Sequence, residues 1–178
     1  MNPKKQNIVL IATVVVLLLI SSPAGAALEN LIKKLEEGGN AALTAYDDGW
    51  GNYTIGFGSI YNYDLNRPVR KGDKITLDQA YRYMRYEIES NVNEINKFVK
   101  VPINNNQLMA LASLAYNIGY PTLKDSTLVR KLNAGYPRSE VANHFLDFNK
   151  ARNKRTGILE YSQGLYNRRL LERDLFLS

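Results

Sequence analysis

The feature that most limits what this chain can fold into is a helix of about 23 residues, opened by Thr76 and Gln79 and running to about Val99. Thr76 reads as the N-cap and Gln79, three residues on, completes a capping box. Ala80, Tyr81, Met84, Ile88, Val92, Ile95 and Val99 then recur at mixed three- and four-residue spacing, the period of an amphipathic helix. A helix that long can join two lobes. Before it, from about residue 43 to 74, the chain is rich in glycine, tyrosine and asparagine. Short β-prone runs there, Tyr53-Thr54-Ile55 and Ser59-Ile60-Tyr61, predict a small hairpin lobe that Arg67-Pro68 and Lys71-Gly72-Asp73 bring to an end. After it, Pro102 breaks the helix and Asn104 to Gln107 restart one. Leu108, Leu111, Ala112, Leu114 and Ala115 make this second helix the most apolar of the chain beyond its first 27 residues, the core of a helical lobe from about 100 to 178. Gly119-Tyr120-Pro121 ends it. Helices near Ser126–Asn133, Ser139–Phe148 and Leu165–Leu175 follow, with Gly135-Tyr136-Pro137 and a loop over Asn149–Gly164 between them. An earlier helix over 28–37, with Leu28, Leu31, Ile32 and Leu35 on one face, stops at Gly38-Gly39. The expected fold class is therefore α+β, with a small β lobe, a long connecting helix and a mainly helical lobe.

The first 27 residues are of another kind. Lys4 and Lys5 precede an apolar run from Ile8 to Ile20, and Ser21-Ser22-Pro23-Ala24-Gly25-Ala26 ends in a small-residue cleavage pattern. That reads as a signal peptide or a retained signal anchor. The 13-residue run makes about 20 Å of helix against a hydrocarbon core of about 30 Å, so a span would have to draw on residues 21–27. Either reading exports the protein through the inner membrane, to the periplasm or cell exterior. Residues 28–178 form the remaining domain. Its 178-residue parent has no cysteine, which excludes a disulfide framework, a thiolate metal site and a cysteine nucleophile. The single His144 makes no metal cluster and reads as structural, and neither metal nor cofactor is expected. A formal charge of +6, falling to +4 without Lys4 and Lys5, favours anionic partners. Interleaved Tyr and Arg near residues 81–86 carry no nucleic-acid motif.

The segment from Glu37 to Gly58 holds an acid, a second acid and a hydroxyl. Hydrolysis of a glycoside needs a protonated carboxyl to donate to the leaving oxygen and an ionised one on the opposite face of the sugar. Glu37, at the carboxy end of a predicted helix with apolar neighbours, is placed to stay protonated. Asp48, in the turn Asp47-Asp48-Gly49, is placed to be solvated and ionised. Thr54, on the strand that follows, can hold a water that Asp48 activates. A solvated helix end, a plain turn and a strand former account for the same three residues, so composition and spacing leave both readings open.

The ordered pattern Glu37-Gly38, Tyr46-x-Asp48 and Tyr53-Thr54-Ile55-Gly56-x-Gly58 resembles the catalytic signature of the phage-type lysozymes, glycoside hydrolase family 24. The resemblance extends to Ile75-Thr76-x-Asp78-Gln79-Ala80, to Asn106-Gln107 through Ala115-Tyr116-Asn117-Ile118-Gly119, to Ser126 through Asn133, and to Gly164-Leu165-Tyr166-Asn167-Arg168-Arg169-x-x-Glu172. It covers essentially all of residues 28–178. It implies a lysozyme-like two-lobe fold and an endolysin that causes host lysis. The substrate it implies is the β-1,4 bond between N-acetylmuramic acid and N-acetylglucosamine in peptidoglycan. Glu37 would be the general acid, Asp48 the carboxylate that positions or activates water, and Thr54 the partner of that water. Inversion is expected, with the two carboxyl groups roughly 6.5–9.5 Å apart. In some related endolysins a weakly hydrophobic leader holds the enzyme inactive at the membrane, which suits transient anchoring through residues 8–27. A monomer is expected. A non-catalytic wall-binding module and a lytic transglycosylase are the alternatives.

Two departures stand out. The family more often has eight residues between its Glu and Asp, whereas ten separate Glu37 from Asp48, so the loop must bulge and Glu36 or Asp47 becomes an alternative partner. Ser59 replaces the family's usual histidine, which removes a histidine–carboxylate contact at a cost to stability. Asn117 and Gln107 are candidate cleft amides on the buried helix, or satisfied core amides. Arg168, with Arg169, is a candidate contact for wall carboxylates, or part of a solvated helix face. Tyr61, Tyr63, Tyr81, Tyr83 and Tyr86 read as packing more than as a sugar platform.

Overall fold

The computed structural model describes residues 25–26, 28–30, 32, 40–49, 51–153 and 155–178. The apolar run from Ile8 to Ile20, Glu36, Glu37 and the Gly38-Gly39 stop lie outside the described residues. Among the described residues no helix is long and apolar enough to cross a membrane. Of the predicted helix over 28–37, Leu28, Glu29, Asn30 and Ile32 are helical. Leu28 and Ile32, one turn apart, are buried, and Glu29 meets the Arg85 guanidinium at 2.9 Å.

The β lobe is built from two small antiparallel pairs. Strands β1 (Ala42–Asp47) and β2 (Tyr53–Gly56) pair in the register Ala42 with Gly56, Tyr46 with Thr54 and Asp47 with Tyr53. Between the first two pairs β1 takes four residue steps where β2 takes two, so β1 bulges. The bulged residues find a second partner. Ala45 N–H donates to Asp73 C=O at 2.9 Å, Ile75 N–H donates to Leu43 C=O at 3.0 Å, and Thr44 bridges Lys74. Strands β3 (Tyr61–Asn62) and β4 (Arg67–Pro68) form the second pair. Arg67-Pro68, expected to mark only the end of the lobe, is thus an edge strand, a position where the missing proline N–H is not needed.

Asp73 is fixed by a two-pronged contact, Arg67 Nη1 and Nη2 each donating to one carboxylate oxygen at 2.8 Å, and by Arg70 N–H at 3.0 Å. The hydrogen bonds from Arg67 hold its carboxyl down at about 2. A lowered carboxyl contributes stability that is present above the unfolded-state value of about 3.9 and is lost as pH falls through about 2. In an NMR carboxyl titration Asp73 should have its midpoint near 2, and Arg67→Gln should return it toward about 3.9. A midpoint unmoved by that substitution would show that the guanidinium does not set it.

Helix α1 (Leu77–Phe98) begins at the expected capping box. Gln79 N–H donates to Thr76 Oγ1 at 3.2 Å and Thr76 N–H to Gln79 Oε1 at 2.7 Å. Its buried face carries Ala80, Tyr83, Met84, Ile88, Val92, Ile95 and Phe98. Helix α2 (Asn105–Ile118) starts at an equivalent box made by Asn104 and Gln107 and buries every residue from Leu108 to Ala115. A helix buried all round lies at the centre of a lobe. The short α3 (Tyr120–Lys124), α4 (Thr127–Asn133) and α5 (Arg138–Asn143), a 3₁₀ turn over His144–Phe148 and α6 (Gln163–Leu177) enclose it. Two elements differ from expectation. Gly119-Tyr120-Pro121 ends α2 as expected, but the unexpected α3 starts at once, with Pro121 in its first turn where the missing N–H has no partner to lose. Asn149–Gly164 contains a hairpin, β5 (Lys150–Arg152) and β6 (Leu159–Tyr161), fully exposed and so without the alternation that betrays a half-buried strand.

The lobes share one continuous core. Gly56 is the reason β2 can lie against α1. Its φ is +68°, and a Cβ there would meet Ala80 Cβ and Ile75 Cδ1 at 3.4 Å each. Just beyond it, Phe57 is buried and stacks on Tyr81 with ring centroids 5.3 Å apart, and its carbonyl accepts from Tyr116 Oη of α2 at 2.8 Å.

Candidate active site

Asp48 follows directly on β1, and a residue that sequence reasoning missed holds it. Asn52 N–H donates to Asp48 Oδ1 and Asn52 Nδ2 to Asp48 Oδ2, both at 3.1 Å, while Asp48 N–H donates to Asn52 C=O at 3.0 Å. One residue therefore orients both carboxylate oxygens. The signal that could have found Asn52 is its place four residues after Asp48, across a turn carrying Gly49 and Gly51. Asp47, the alternative acid, is exposed and accepts from Gly49 N–H at 2.7 Å, the bond of an Asx turn. Gly49 and Gly51, at φ of +76° and +96°, let the chain reverse between the two strands.

Tyr46 and Thr54 are opposite partners, so their side chains share a face of the hairpin. Asp48 directly follows β1 and Asn52 directly precedes β2, so their contact closes the turn end of the hairpin, two residues along from that pair. Thr54 is buried and Tyr46 is exposed. Asp48 and Thr54, predicted to act together, thus lie at the same end of the hairpin.

Ser59 is also resolved. It is buried, with Oγ 2.5 Å from Glu87 Oε1 on α1 and 2.9 Å from Tyr61 C=O. A hydroxyl–carboxylate contact therefore ties the β lobe to the long helix where a histidine–carboxylate contact was expected to be lost. Beside it, burial and then the Glu87 carboxylate push the Tyr63 phenol well above its ordinary value, so it stays a donor. Tyr63 also touches the rings of Tyr61, Tyr83 and Tyr86 at 5.2–5.4 Å, a packed cluster. Ser59→Ala should cost about 1–3 kcal/mol, because Glu87 loses a buried partner. The reading is the urea midpoint, which should fall with the slope unchanged. An unmoved midpoint would mean that the contact carries nothing.

The remaining candidates are dispersed. Asn117 is exposed near the carboxy end of α2, next to Tyr116 that reaches the β lobe. Gln107 is ten residues away at the other end of the helix, about 15 Å along the axis, and its side-chain oxygen accepts from Asn104 N–H at 3.1 Å. It is a helix cap, neither a core amide nor a neighbour of Asn117. Arg168 does not lie on a solvated face or point at the wall. It is buried, its Nε donating to Glu172 Oε1 at 3.2 Å and Nη2 to Ser113 C=O at 3.3 Å. Arg169, wholly buried, meets Glu172 Oε2 at 2.9 Å, and Ser113 Oγ donates to Glu172 Oε1 at 2.7 Å. The Arg-Arg-x-x-Glu spacing of 168–172, three and four residues on a helix, was the available signal for this cluster. His144 Nδ1 lies 2.7 Å from Asp147, a local contact within the 3₁₀ turn.

A small β lobe presenting an oriented carboxylate and a threonine, tied through a long helix to a helical lobe, defines a lysozyme-type hydrolase. The model of the phage lysozyme family matches residues 34–172, and the chain belongs to that family. It is a glycoside hydrolase that lyses peptidoglycan. An endolysin of Acyrthosiphon pisum secondary endosymbiont phage 1 is 36% identical over 150 residues, 83% of this chain and 93% of the relative. The solved endolysin from Escherichia coli phage FAHEc1 superposes with a TM-score of 0.74 at 37% identity, covering 88% of this chain and 92% of that one. A protein of Escherichia phage 933W named SAR-endolysin is 35% identical over 114 residues, 63% of each chain.

Proposed function

We propose that the chain is an inverting muramidase that hydrolyses the β-1,4 bond between N-acetylmuramic acid and N-acetylglucosamine. Glu37 donates a proton to the glycosidic oxygen. Asp48 takes a proton from a water that Thr54 helps to hold, and that water attacks the anomeric carbon from the opposite face. The observation that carries this reading is the Asn52 clamp on Asp48 beside Thr54, since a base must be oriented before its water can be aligned. Asn117, next to the Tyr116 that reaches the β lobe, serves as a cleft amide, and Arg168 acts through the packing of α6 without contacting substrate. Residues 28–178 form the catalytic domain, with a β lobe about 43–74 and a helical lobe about 100–178. The leader over 1–27 tethers a monomeric enzyme to the inner membrane before release, a reading supported by the short apolar run and by the relative named SAR-endolysin. Digests of isolated sacculi test the reaction. New reducing ends with the anomeric configuration inverted are expected, whereas 1,6-anhydro ends would replace hydrolysis by transglycosylation and an absence of turnover would leave a wall-binding module.

A further inference from the structure

The β5–β6 hairpin takes no part in the site described above, yet it is the most exposed structured element of the helical lobe. Pairing of Lys150 with Tyr161 and of Arg152 with Leu159 puts two cations and two apolar side chains on one face, with Ala151 and Glu160 on the other. Leu159 and Tyr161 are 55% and 56% exposed, and Ile158 at the turn is 63% exposed. The turn is held firmly. Asn153 Oδ1 accepts from Arg155 and Thr156 N–H, Asn153 Nδ2 donates to both Glu160 oxygens, and Gly157 C=O accepts from Arg152 Nη1. Tyr161 lies beside Tyr166 of α6, ring centroids 5.8 Å apart, and its hydroxyl donates to Gln163. Ordinary turns are polar, and a rigid one that keeps Ile158 and Leu159 largely in water does so at a cost unless something covers them. Residues 150–161 carry four basic residues and one acid.

We propose that this hairpin face docks on an anionic phospholipid surface. Leu159 and the Tyr161 ring enter the headgroup–acyl boundary, with Ile158 at the tip of the hairpin, and Lys150, Arg152 and Arg155 meet the phosphates, the arrangement of an interfacial segment. Aliphatic side chains favour lipid over glycan, which is gripped by aromatic faces and hydrogen bonds. The contact sits far along the sequence from the leader, so it orients the folded domain against the membrane independently of any tether.

The absence of native cysteine makes the test direct. An environment-sensitive fluorophore is attached to the full chain at Leu159→Cys, at Tyr161→Cys and, on the opposite face, at Glu160→Cys. With vesicles containing phosphatidylglycerol the first two should shift to the blue and lose iodide quenching. Phosphatidylcholine vesicles should leave them unchanged, and the Glu160 label should respond little. The pair Lys150→Glu and Arg155→Glu should abolish the shift, as should high salt, while turnover on membrane-free sacculi stays at the parent rate. No shift, an equal shift at Glu160, a shift with sacculi in place of vesicles, or a loss of sacculus turnover in the charge variant would each overturn the proposal. Because sacculus turnover is measured separately, failure of the lipid contact and failure of the muramidase reading give different results.

Discussion

Glu37→Gln is expected to lower wall-clearing turnover by about 10²–10⁴-fold, the usual contribution of a positioned general acid. The amide keeps the size of the side chain and most of its hydrogen bonding but has no proton to give to the leaving oxygen. Asn52 donates to both carboxylate oxygens of Asp48, and the proposed reaction with Asp48 as base takes its acid from Glu37. Glu36→Gln is the matched control and should retain turnover. If Glu36→Gln is inactive and Glu37→Gln is not, the acid is Glu36. Asp48→Asn separates the two chemistries that share an acid. It should stop hydrolysis by water but would leave a transglycosylase able to release 1,6-anhydro ends.

Glu172→Ala should destabilise the fold by about 3–5 kcal/mol, the cost of leaving buried charge uncompensated. Glu172 is wholly buried between Arg168, Arg169 and Ser113, and the guanidinium of Arg169 is equally closed off from water. Burial pushes the Glu172 carboxyl above its ordinary value, and the guanidiniums of Arg169 and Arg168 act against that shift. What the cluster contributes is an attachment of α6 to the central α2 through Ser113, which an apolar replacement cannot reproduce in one step. Adding Arg169→Met to the Glu172→Ala chain should recover part of the loss, because it removes one of the stranded charges. Calorimetric or urea unfolding decides the matter. A loss under about 1 kcal/mol would place the cluster among contacts that are merely tolerated.

Much of the fold could be read from the chain because local and global signals agree there. Thr76 with Gln79 caps the long helix as expected, α2 starts where a restart was expected, and Gly119 ends α2 at φ +79°. The long apolar run from Leu108 to Ala115 had no polar face to turn outward, and it is buried all round. The local settings of Asp48, in a turn, and Thr54, on a strand, were legible because turn chemistry and strand propensity depend on neighbours in sequence. The tie between the β lobe and the long helix was not. Glu87 meets Ser59 across 28 residues of chain, and a lone Glu carries no mark of that. Gln107 misled for the opposite reason, since a local capping bond claimed the amide that the long-range reading had assigned to the cleft. The β5–β6 hairpin escaped notice because no face of it is covered, so no burial pattern is imprinted on its sequence.

The bulge in β1 decouples the length of the chain before it from the pairing after it. A bulge takes up surplus residues on one strand without turning the residues beyond it. The register of Tyr46 with Thr54 and the Asp48–Asn52 contact are set from the turn side, while the surplus between Ala42 and Tyr46 finds its partners at Asp73 and Ile75. The backbone entering β1 is thus free to change length by one residue or by several while the turn end of the hairpin stays as it is.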